Sequence, residues 1–266
     1  MTKVSILIST YGDRVNDLMS VILPFDERVR YFVAHQGCTH DSDISFLTKR
    51  NDVEYFKLNS IGVTKSRNFL LQQATLQECG DIFYFCDDDV RLNPNLANIL
   101  IESHHSNSSA VITFAIEDET GKVRKKFPSV DCVVERNRFN ILSVGTIEIS
   151  LKRAFVQNIF FPEDMGAGSK IPIGDEAVFL SKVLDNNLKI SFVPKVIASH
   201  PSDSSGVSVS ESTIYSRGVT IRNVFKWYGF FLLFPFFLSR IKLFKSSKYS
   251  LVSSFWIFTK GYFLCR

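Results

Sequence analysis

Three consecutive carboxylates, Asp87, Asp88 and Asp89, are the sharpest chemical feature of this sequence. They directly follow residues 82–86, an apolar run without a charged side chain. Like charges at this spacing repel one another and cost stability unless a cation neutralises them. The pattern therefore predicts a site for a hard divalent cation, Mg²⁺ or Mn²⁺, which carboxylates and substrate phosphates would hold together.

Alternation along an extended chain decides which of these carboxylates act together. Side chains two residues apart point to the same side, so Asp87 and Asp89 can converge on one cation while Asp88 points elsewhere. The competing interpretation is a helix cap or a solvated turn. Asn93-Pro94 already supplies the start of the next helix, which makes a cap at the aspartates redundant.

The elements around the aspartates predict the frame that positions them. The first hundred residues alternate short apolar runs with helical patterns. Strands are predicted at residues 4–9, 29–34, 53–58 and 82–86, and helices at residues 13–23, 62–77 and from 93 to about 103. This alternation is typical of a mostly parallel sheet with helices on both faces.

The second part of the chain has a different pattern, with short strands and irregular segments. Strands are predicted at residues 110–116, 122–127, 143–151 and 189–197, and a helix at Asp175–Asp185. Residues 162–172 are glycine-rich, and residues 203–209 are rich in serine. The whole chain predicts an α/β fold built on one mixed, mostly parallel sheet.

Polar residues at the ends of the predicted strands are the candidates for a binding site. Ligands of open α/β sheets bind beyond the carboxyl ends of the strands. Besides the three aspartates, the residues at these points are Thr10, Tyr11, His35, Gln36, Asn59, Asp175, Glu176 and His200.

Four segments resemble a known family. VSILISTY at the N-terminus, GVTKSRN in the third unit, FYFCDDDV, and GDEAVFL after the glycine-rich stretch occur in the order seen in family 2 glycosyltransferases. The resemblance covers about three quarters of the chain, residues 1–200. It implies the GT-A fold, a Rossmann-like, mostly parallel sheet flanked by helices, with Mn²⁺ or Mg²⁺ as cofactor.

The resemblance also implies where the nucleotide of a sugar donor would lie. Thr10 and Tyr11 would contact the base and ribose, and the Arg67-Asn68 pair would lie near the donor. The alternative for Arg67 is a charged residue on the solvent face of a helix. The family's acidic cluster after the second strand is replaced here by HQGC, in which Gln36 can still hydrogen-bond a base edge. The nucleotide therefore stays open, and a UDP-sugar is expected.

The three aspartates match the family's D-x-D motif. Asp87 and Asp89 would bind the metal and the donor diphosphate, and either Asp87 or Asp88 would also reach the ribose. His200 stands where some GT-A enzymes have a further ligand of the metal or diphosphate. A surface histidine beside a proline explains His200 equally well.

Asp175-Glu176 falls where the family usually has Glu-Asp, and one of these carboxylates would be the general base. The order is reversed here, so both remain candidates, and position favours Glu176. The alternative is the charged first turn of a helix, where the macrodipole favours negative charge. A base opposite the leaving diphosphate implies transfer with inversion at the anomeric carbon.

The formal net charge of +4 is unevenly distributed. Residues 212–266 contain nine basic residues and no acidic one, whereas residues 1–211 have a net charge of −5. Ten of the 25 Phe and both Trp also lie in this tail. Two interpretations stay open: helices that pack on the catalytic domain with a solvated basic face, or an interfacial anchor on an anionic membrane surface.

These patterns predict a GT-A catalytic domain at residues 1–210 and a basic, aromatic-rich helical extension at residues 211–266. Residues 1–108 would bind the nucleotide and residues 109–210 the acceptor. No apolar run reaches the roughly 20 residues that span a bilayer, and the N-terminus lacks the pattern of a signal peptide. The five Cys form no C-x-x-C pair. We therefore expect a cytoplasmic protein, peripheral at the inner face of the cell membrane.

The leading hypothesis is a metal-dependent inverting glycosyltransferase of the hexosyl type. It would move a sugar from a nucleotide-diphosphate donor to a hydroxyl of a glycan or lipid-linked acceptor in surface polysaccharide synthesis. One alternative is a nucleotidyltransferase, but STYGDRVND is not the glycine-rich, lysine-containing phosphate loop that such an enzyme needs. Another is a non-catalytic, sugar-nucleotide-binding scaffold at the membrane. The acidic body argues against nucleic acid as a partner, and the oligomeric state is left open.

Overall fold

A single sheet with helices on both faces forms the body of the protein. The computed structural model describes residues 1–38, 44–123, 125–129, 131–155, 158–200 and 209–264. The serine-rich stretch predicted at residues 203–209 falls, except for Val209, outside these ranges. The predicted mixed α/β architecture is confirmed.

Nine strands of the described residues make up the sheet, in the order β3-β2-β1-β4-β8-β6-β9-β5, with β7 paired to β9. Their bounds are β1 Val4–Tyr11, β2 Val29–Gln36, β3 Val53–Leu58, β4 Ile82–Asp87, β5 Arg91–Leu92, β6 Val111–Glu117, β7 Val134–Glu135, β8 Ile149–Lys152 and β9 Ile190–Ser199. Strands β3, β2, β1 and β4 run parallel, and β8 inserts antiparallel between β4 and β6.

The helices lie between and after these strands. Their bounds are α1 Leu18–Val21, α2 Ser45–Thr48, α3 Val63–Leu76, α4 Leu96–Ser106, α5 Asp175–Asp185, α6 Glu211–Phe225, α7 Gly229–Ser239, α8 Ile241–Lys245 and α9 Leu251–Phe263. No helix among the residues described is both long and apolar enough to cross a membrane.

The register of the parallel strands brings their carboxyl ends to one edge. Thr10 pairs with His35 and Tyr11 with Gln36 across β1 and β2. Ser9 pairs with the first aspartate at the end of β4. Because parallel strands end at the same edge, the polar residues that follow them in sequence meet there, as the strand pattern predicts.

The apolar core consists of two layers, one on each face of the sheet. Successive residues of a strand point to opposite faces. Leu7 and Phe85 therefore join α3 and α5 on one face, while Ile8 and Tyr84 join α1 and α4 on the other. Strands that are buried on both faces read as continuous apolar runs, which is why the sequence located β1 and β4 correctly.

Three predicted elements differ from the structure. The helix predicted at residues 13–23 is a 3₁₀-helix, Gly12–Asp17, followed by the single turn α1. In the strand predicted at residues 122–127, the described residues, which exclude residue 124, form one isolated bridge, from Val123 to Glu117. The strand predicted at residues 143–151 begins only at Ile149, because the Glu148 carboxylate accepts from the Gly145 N–H (2.8 Å) and holds a 3₁₀ turn before it.

The C-terminal helices pack on the body. Helix α6 lies against α5 and α9. A Cβ on Gly218 would overlap the Phe258 carbonyl oxygen, and one on Gly261 would overlap that of Tyr215, so the two glycines let α6 and α9 approach closely. The aromatic ring of Phe258 belongs to the same apolar core as that of Phe179 in α5. The domain boundary at residue 210 stays a prediction.

Candidate active site

Arg67 joins the two acidic clusters that the sequence singled out. Its Nη1 lies 2.9 Å from Asp175 Oδ2, and its Nη2 lies 3.2 Å from Asp87 Oδ1. The side chain is buried, with the guanidinium 5.6 Å from the centre of the Phe161 ring. Burial opposes the charge, but Asp87 and Asp175 outweigh it and hold the pKa of Arg67 above its usual value. Arg67 is therefore a buried cation between two carboxylates, and its solvent-facing alternative is wrong.

Arg14 neutralises the other two aspartates from the turn after β1. Its Nη2 forms an ion pair with Asp88 and lies 2.7 Å from Asp89 Oδ2. Burial raises the pKa of Asp88 to about 6. Sequence reasoning missed Arg14, although the need of three adjacent carboxylates for a cation was the signal that could have found it.

Asp89 and His200 converge from two different strand ends. His200 Nε2 lies 3.1 Å from Asp89 Oδ1. The hydrogen bond and charge of His200 hold the pKa of Asp89 below its usual value. The β9 strand ends at Ser199, and the His200 N–H donates to the Glu117 carbonyl (3.0 Å), which fixes the backbone at this point.

The donor set at Asp89 and His200 fits a small divalent cation. A carboxylate oxygen and an imidazole nitrogen within 3.1 Å of each other suit Mn²⁺. Across the described ranges, no group of three or more His, Cys, Asp or Glu side chains is arranged to hold a metal ion. A cation here would therefore need further oxygen ligands from a bound phosphate, as is usual for Mg²⁺ in nucleotide sites.

Asp175 and Glu176 begin helix α5 but have different surroundings. Asp175 is buried, and burial together with the adjacent Glu176 charge raises the pKa of Asp175 above its usual value, against the pull of the Arg67 guanidinium. Glu176 is half-buried, and its Oε1 accepts from the Thr146 hydroxyl at 2.7 Å. Glu176 is thus the more exposed carboxylate of the pair.

The glycine-rich stretch at residues 162–172 is held against the start of α3. The Val63 N–H donates to the Ala167 carbonyl (3.0 Å), and the Thr64 hydroxyl donates to the Met165 carbonyl (2.8 Å). Asn68 exchanges two hydrogen bonds with the backbone of Phe161, at 2.8 and 3.0 Å. Asn68 therefore positions this segment and the ring beneath Arg67, a contact that no local signal in the sequence indicates.

A second part of this sheet edge is built on the ends of β1 and β2. Tyr11 is exposed, and its ring lies over Gly37, where a Cβ would come within 2.6 Å of the ring. Gly37 also has a φ of +62°, which favours glycine. Thr10 is buried, and so is Gln36, whose amide donates to Ser60 Oγ at 3.0 Å. Tyr11 thus offers a flat, accessible ring at this edge.

His35 supports this end of the site from within. Its Nε2 donates to the Gly12 carbonyl (2.8 Å), so its Nδ1 accepts from the Tyr55 hydroxyl (2.7 Å). Burial lowers the pKa of His35, which keeps the ring neutral. His35 therefore fixes the turn that carries Arg14 rather than contacting a ligand.

Comparison with known proteins gives fold relatives only. No protein-family model and no curated protein matches the chain. The crystal structure of S. aureus TarS 1–349 is similar with a TM-score of 0.67 and 17% identity, over 97% of this chain and 80% of that chain. Its complex with UDP-GlcNAc gives a TM-score of 0.62 and 20% identity, over 84% of this chain and 67% of that chain.

The longer crystal structure of S. aureus TarS is matched over 40% of its length and 84% of this chain, with a TM-score of 0.58 and 19% identity. At these identities the likeness shows the fold. The fold is GT-A-like, with a mostly parallel sheet flanked by helices and with the C-terminal helices present. The fold that the sequence resemblance implied is confirmed.

Proposed function

We propose that this protein is an inverting, metal-assisted glycosyltransferase that takes a hexosyl group from a UDP-sugar. The observation that carries the proposal is Arg67, which ties Asp87 at the end of β4 to Asp175 beside Glu176. A carboxylate suited to a donor and one suited to an acceptor are thereby joined in one cluster. The fold likeness to S. aureus TarS in complexes with UDP-GlcNAc and UDP supports a UDP-sugar donor.

The donor would lie along the carboxyl ends of β1, β2 and β4. The exposed ring of Tyr11 is available to stack on the base. Thr10 and Gln36 line this end, and Asp87 or Asp88 would accept from the ribose hydroxyls. Asp89 and His200 would hold Mn²⁺ or Mg²⁺, which supplies Lewis-acid stabilisation of the leaving diphosphate.

The acceptor hydroxyl loses a proton as it attacks the anomeric carbon. Glu176 would take that proton, because it is the accessible carboxylate and the Thr146 hydroxyl orients it. Asp175 is buried against Arg67 and would position that guanidinium. Attack from the side opposite the diphosphate inverts the anomeric configuration in one step, without a covalent intermediate on the protein.

The acceptor and its location extend the same proposal. The acceptor would be a glycan or lipid-linked glycan of surface polysaccharide synthesis, and the protein would act at the cytoplasmic face of the membrane. The charge of the tail, with nine basic residues and no acidic one in residues 212–266, supports contact with an anionic lipid surface.

Turnover of sugar nucleotides tests the proposal. A panel of UDP- and other nucleotide sugars is incubated with the protein in Mn²⁺, in Mg²⁺ or in a chelator, and released nucleoside diphosphate is measured. We expect metal-dependent release from a UDP-sugar and its loss in Glu176→Gln. Binding without turnover for every donor would instead favour the non-catalytic scaffold.

A further inference from the structure

The C-terminal helices expose a connected set of aromatic rings. This aromatic face consists of Trp227, Tyr228, Phe230, Phe231 and Phe263, each 55–66% exposed. The rings contact one another: Trp227 with Tyr228 at 3.7 Å, Phe230 with Phe231 at 5.5 Å and Phe230 with Phe263 at 6.2 Å between centroids. Contiguous exposed apolar surface of this kind marks an interaction site in a folded protein.

A cleft of about 500 Å³ opens at the base of the aromatic face. One wall is the end of α6 and the residues after it, with Arg222, Asn223 and Trp227, and the other wall carries Asp164 and Met165. A second cleft of about 300 Å³ lies beside it and is lined by Arg222, Trp227 and aromatic rings. Arg222 and Trp227 thus line both clefts.

The cleft is preformed by contacts of Tyr262. The Tyr262 hydroxyl donates to the Lys226 carbonyl (2.9 Å), and Arg222 lies 5.5 Å from the centre of the Tyr262 ring. Lys226 has a φ of +55°, which a non-glycine residue adopts only when its surroundings impose it. Strained positions of this kind cluster at binding sites.

The charges that face the cleft define its ligand. Arg222 and Lys226 are cationic, and Asp164 opposes them with one carboxylate. Lys226 also lies 3.3 Å from Asp185, which directs its ammonium. Two cations suit a phosphate, whereas a carboxylate and the Asn223 amide suit hydroxyl groups. A sugar phosphate satisfies both requirements, and an attached lipid would continue onto the aromatic face.

We propose that this cleft binds the sugar-phosphate headgroup of a membrane lipid whose chains lie against the aromatic face. The basic tail complements the anionic headgroup, and Trp and Tyr are the side chains that favour the level of lipid headgroups. The inference rests on the proposed function, because it gives the lipid-linked acceptor a place on this chain. Met165 in the wall precedes Gly166, whose backbone lies against Asp175.

Vesicle flotation of the full chain tests the proposal. Phosphatidylinositol and phosphatidylglycerol have the same charge, but only the first presents a polyol ring next to the phosphate. Vesicles of phosphatidylcholine with either lipid are compared. We expect the protein to float several-fold more with phosphatidylinositol, and we expect Arg222→Gln to abolish this preference. Lys226→Gly removes the second cation and should also abolish the preference. Glycine adopts the positive φ of this position without strain, so a lost preference in this variant would not reflect a folding defect.

A matched control separates the cleft from general electrostatics. Lys242→Gln with Lys245→Gln removes two exposed charges of α8, which should lower flotation on both lipids and leave the preference intact. Phe231→Ser should lower flotation on both lipids, whereas Phe25→Ser, a 70% exposed ring on the body, should not. Saturating glucose 1-phosphate should remove the preference of the unmodified protein, because the free sugar phosphate would occupy the cleft.

Three results would overturn the inference: no flotation, equal flotation on the two anionic lipids, or an unaltered preference in both cleft variants. Titration of UDP into the same protein keeps the two proposals apart. Nucleotide binding without a lipid preference contradicts only the proposal that the cleft binds a lipid headgroup. Lipid preference without binding or turnover of any sugar nucleotide contradicts the proposed function and leaves the cleft a lipid site.

Discussion

The guanidinium of Arg67 lies 2.9 Å from the carboxylate of Asp175, across 108 residues of chain. Both side chains are buried, so neither charge has water as an alternative partner. Removing one member of a buried ion pair leaves an uncompensated charge and costs roughly 3–5 kcal/mol. The pair is therefore a structural requirement of the site as well as a feature of its chemistry.

Replacing Arg67 tests that requirement. Arg67→Ala should lower the free energy of unfolding by roughly 3–5 kcal/mol, as measured by urea denaturation. Arg67→Lys keeps the charge but cannot contact Asp87 and Asp175 together, so it should recover part of the stability and little of the UDP affinity. Equal stability of both variants and the unmodified protein would refute the role of the pair.

The two carboxylates of α5 should differ in their kinetic effect. Glu176→Gln should lower sugar transfer by about 10²–10⁴-fold with donor affinity retained, because only proton removal is lost. Asp175→Asn should weaken donor binding as well, because it frees Arg67. Glu102→Gln, a surface carboxylate paired with Lys195, is the control and should transfer normally. A larger loss of transfer in Asp175→Asn with intact donor binding would make Asp175 the base.

The effect of metal on UDP binding should require both Asp89 and His200. Removing Mn²⁺ with a chelator should weaken UDP binding by at least about tenfold, because the diphosphate loses its counter-charge. In Asp89→Asn or His200→Gln, UDP affinity should be low with and without Mn²⁺. Calorimetric titration measures both. Affinity that is unaffected by the chelator in the unmodified protein would contradict a metal at this site.

His104 predicts a pH dependence of stability. It is buried, with Nε2 2.7 Å from Ser150 Oγ, and burial lowers its pKa to about 3, against 6.5 for the free side chain. A depressed pKa means that the unfolded chain binds the proton first, so stability is full above about pH 6.5 and falls as pH drops toward 3. The slope from this one residue is about 1.4 kcal/mol per pH unit.

His104→Gln should remove that part of the slope in urea unfolding measured over this pH range. The control is the unmodified protein, unfolded in urea under the same conditions. A slope that is the same in His104→Gln and the unmodified protein would mean that His104 does not titrate between the two pH values.

The close crossing of α6 and α9 predicts that Gly-to-Ala substitution at the crossing lowers the stability of the protein. Gly to Ala in a helix ordinarily stabilises by about 1 kcal/mol. At Gly261 and Gly218 the added methyl would overlap a backbone carbonyl of the other helix, so each change should instead destabilise by about 1–3 kcal/mol. Thermal unfolding with calorimetry measures the effect. Stabilisation by either substitution would show that the helices do not cross at these glycines.

Strand positions and strand ends were predictable because they follow from local chemistry. Buried parallel strands read as apolar runs, and the polar residues after them must share one edge of the sheet. The aspartates after β4 and the carboxylates at α5 were found in this way. The need for a neutralising cation was also correct, but the structure supplies Arg14 and Arg67 as cations that composition alone could not place.

Long-range contacts account for what the sequence did not reveal. Asn68 matched a family motif near the donor, yet its amide holds the backbone of Phe161, 93 residues away. Of the strand predicted at residues 122–127, the described residues show one isolated bridge at Val123, and the half-buried Phe127 ring stacks on Phe192 at 5.4 Å. Buried Val15, Leu18 and Val21 recur every third residue, so one apolar face continues from the 3₁₀-helix Gly12–Asp17 into α1.

The contact between Gly174 and Thr220 has a geometric consequence. A Cβ on Gly174 would overlap the Thr220 side chain, so helix α6 rests directly on the residue that precedes Asp175. The aromatic face continues from that same helix without an intervening linker. If this face settles on a bilayer, the height of Glu176 above the lipid surface is set by the protein itself. That fixed height would then determine which acceptor hydroxyls Glu176 can reach, according to their distance from the membrane.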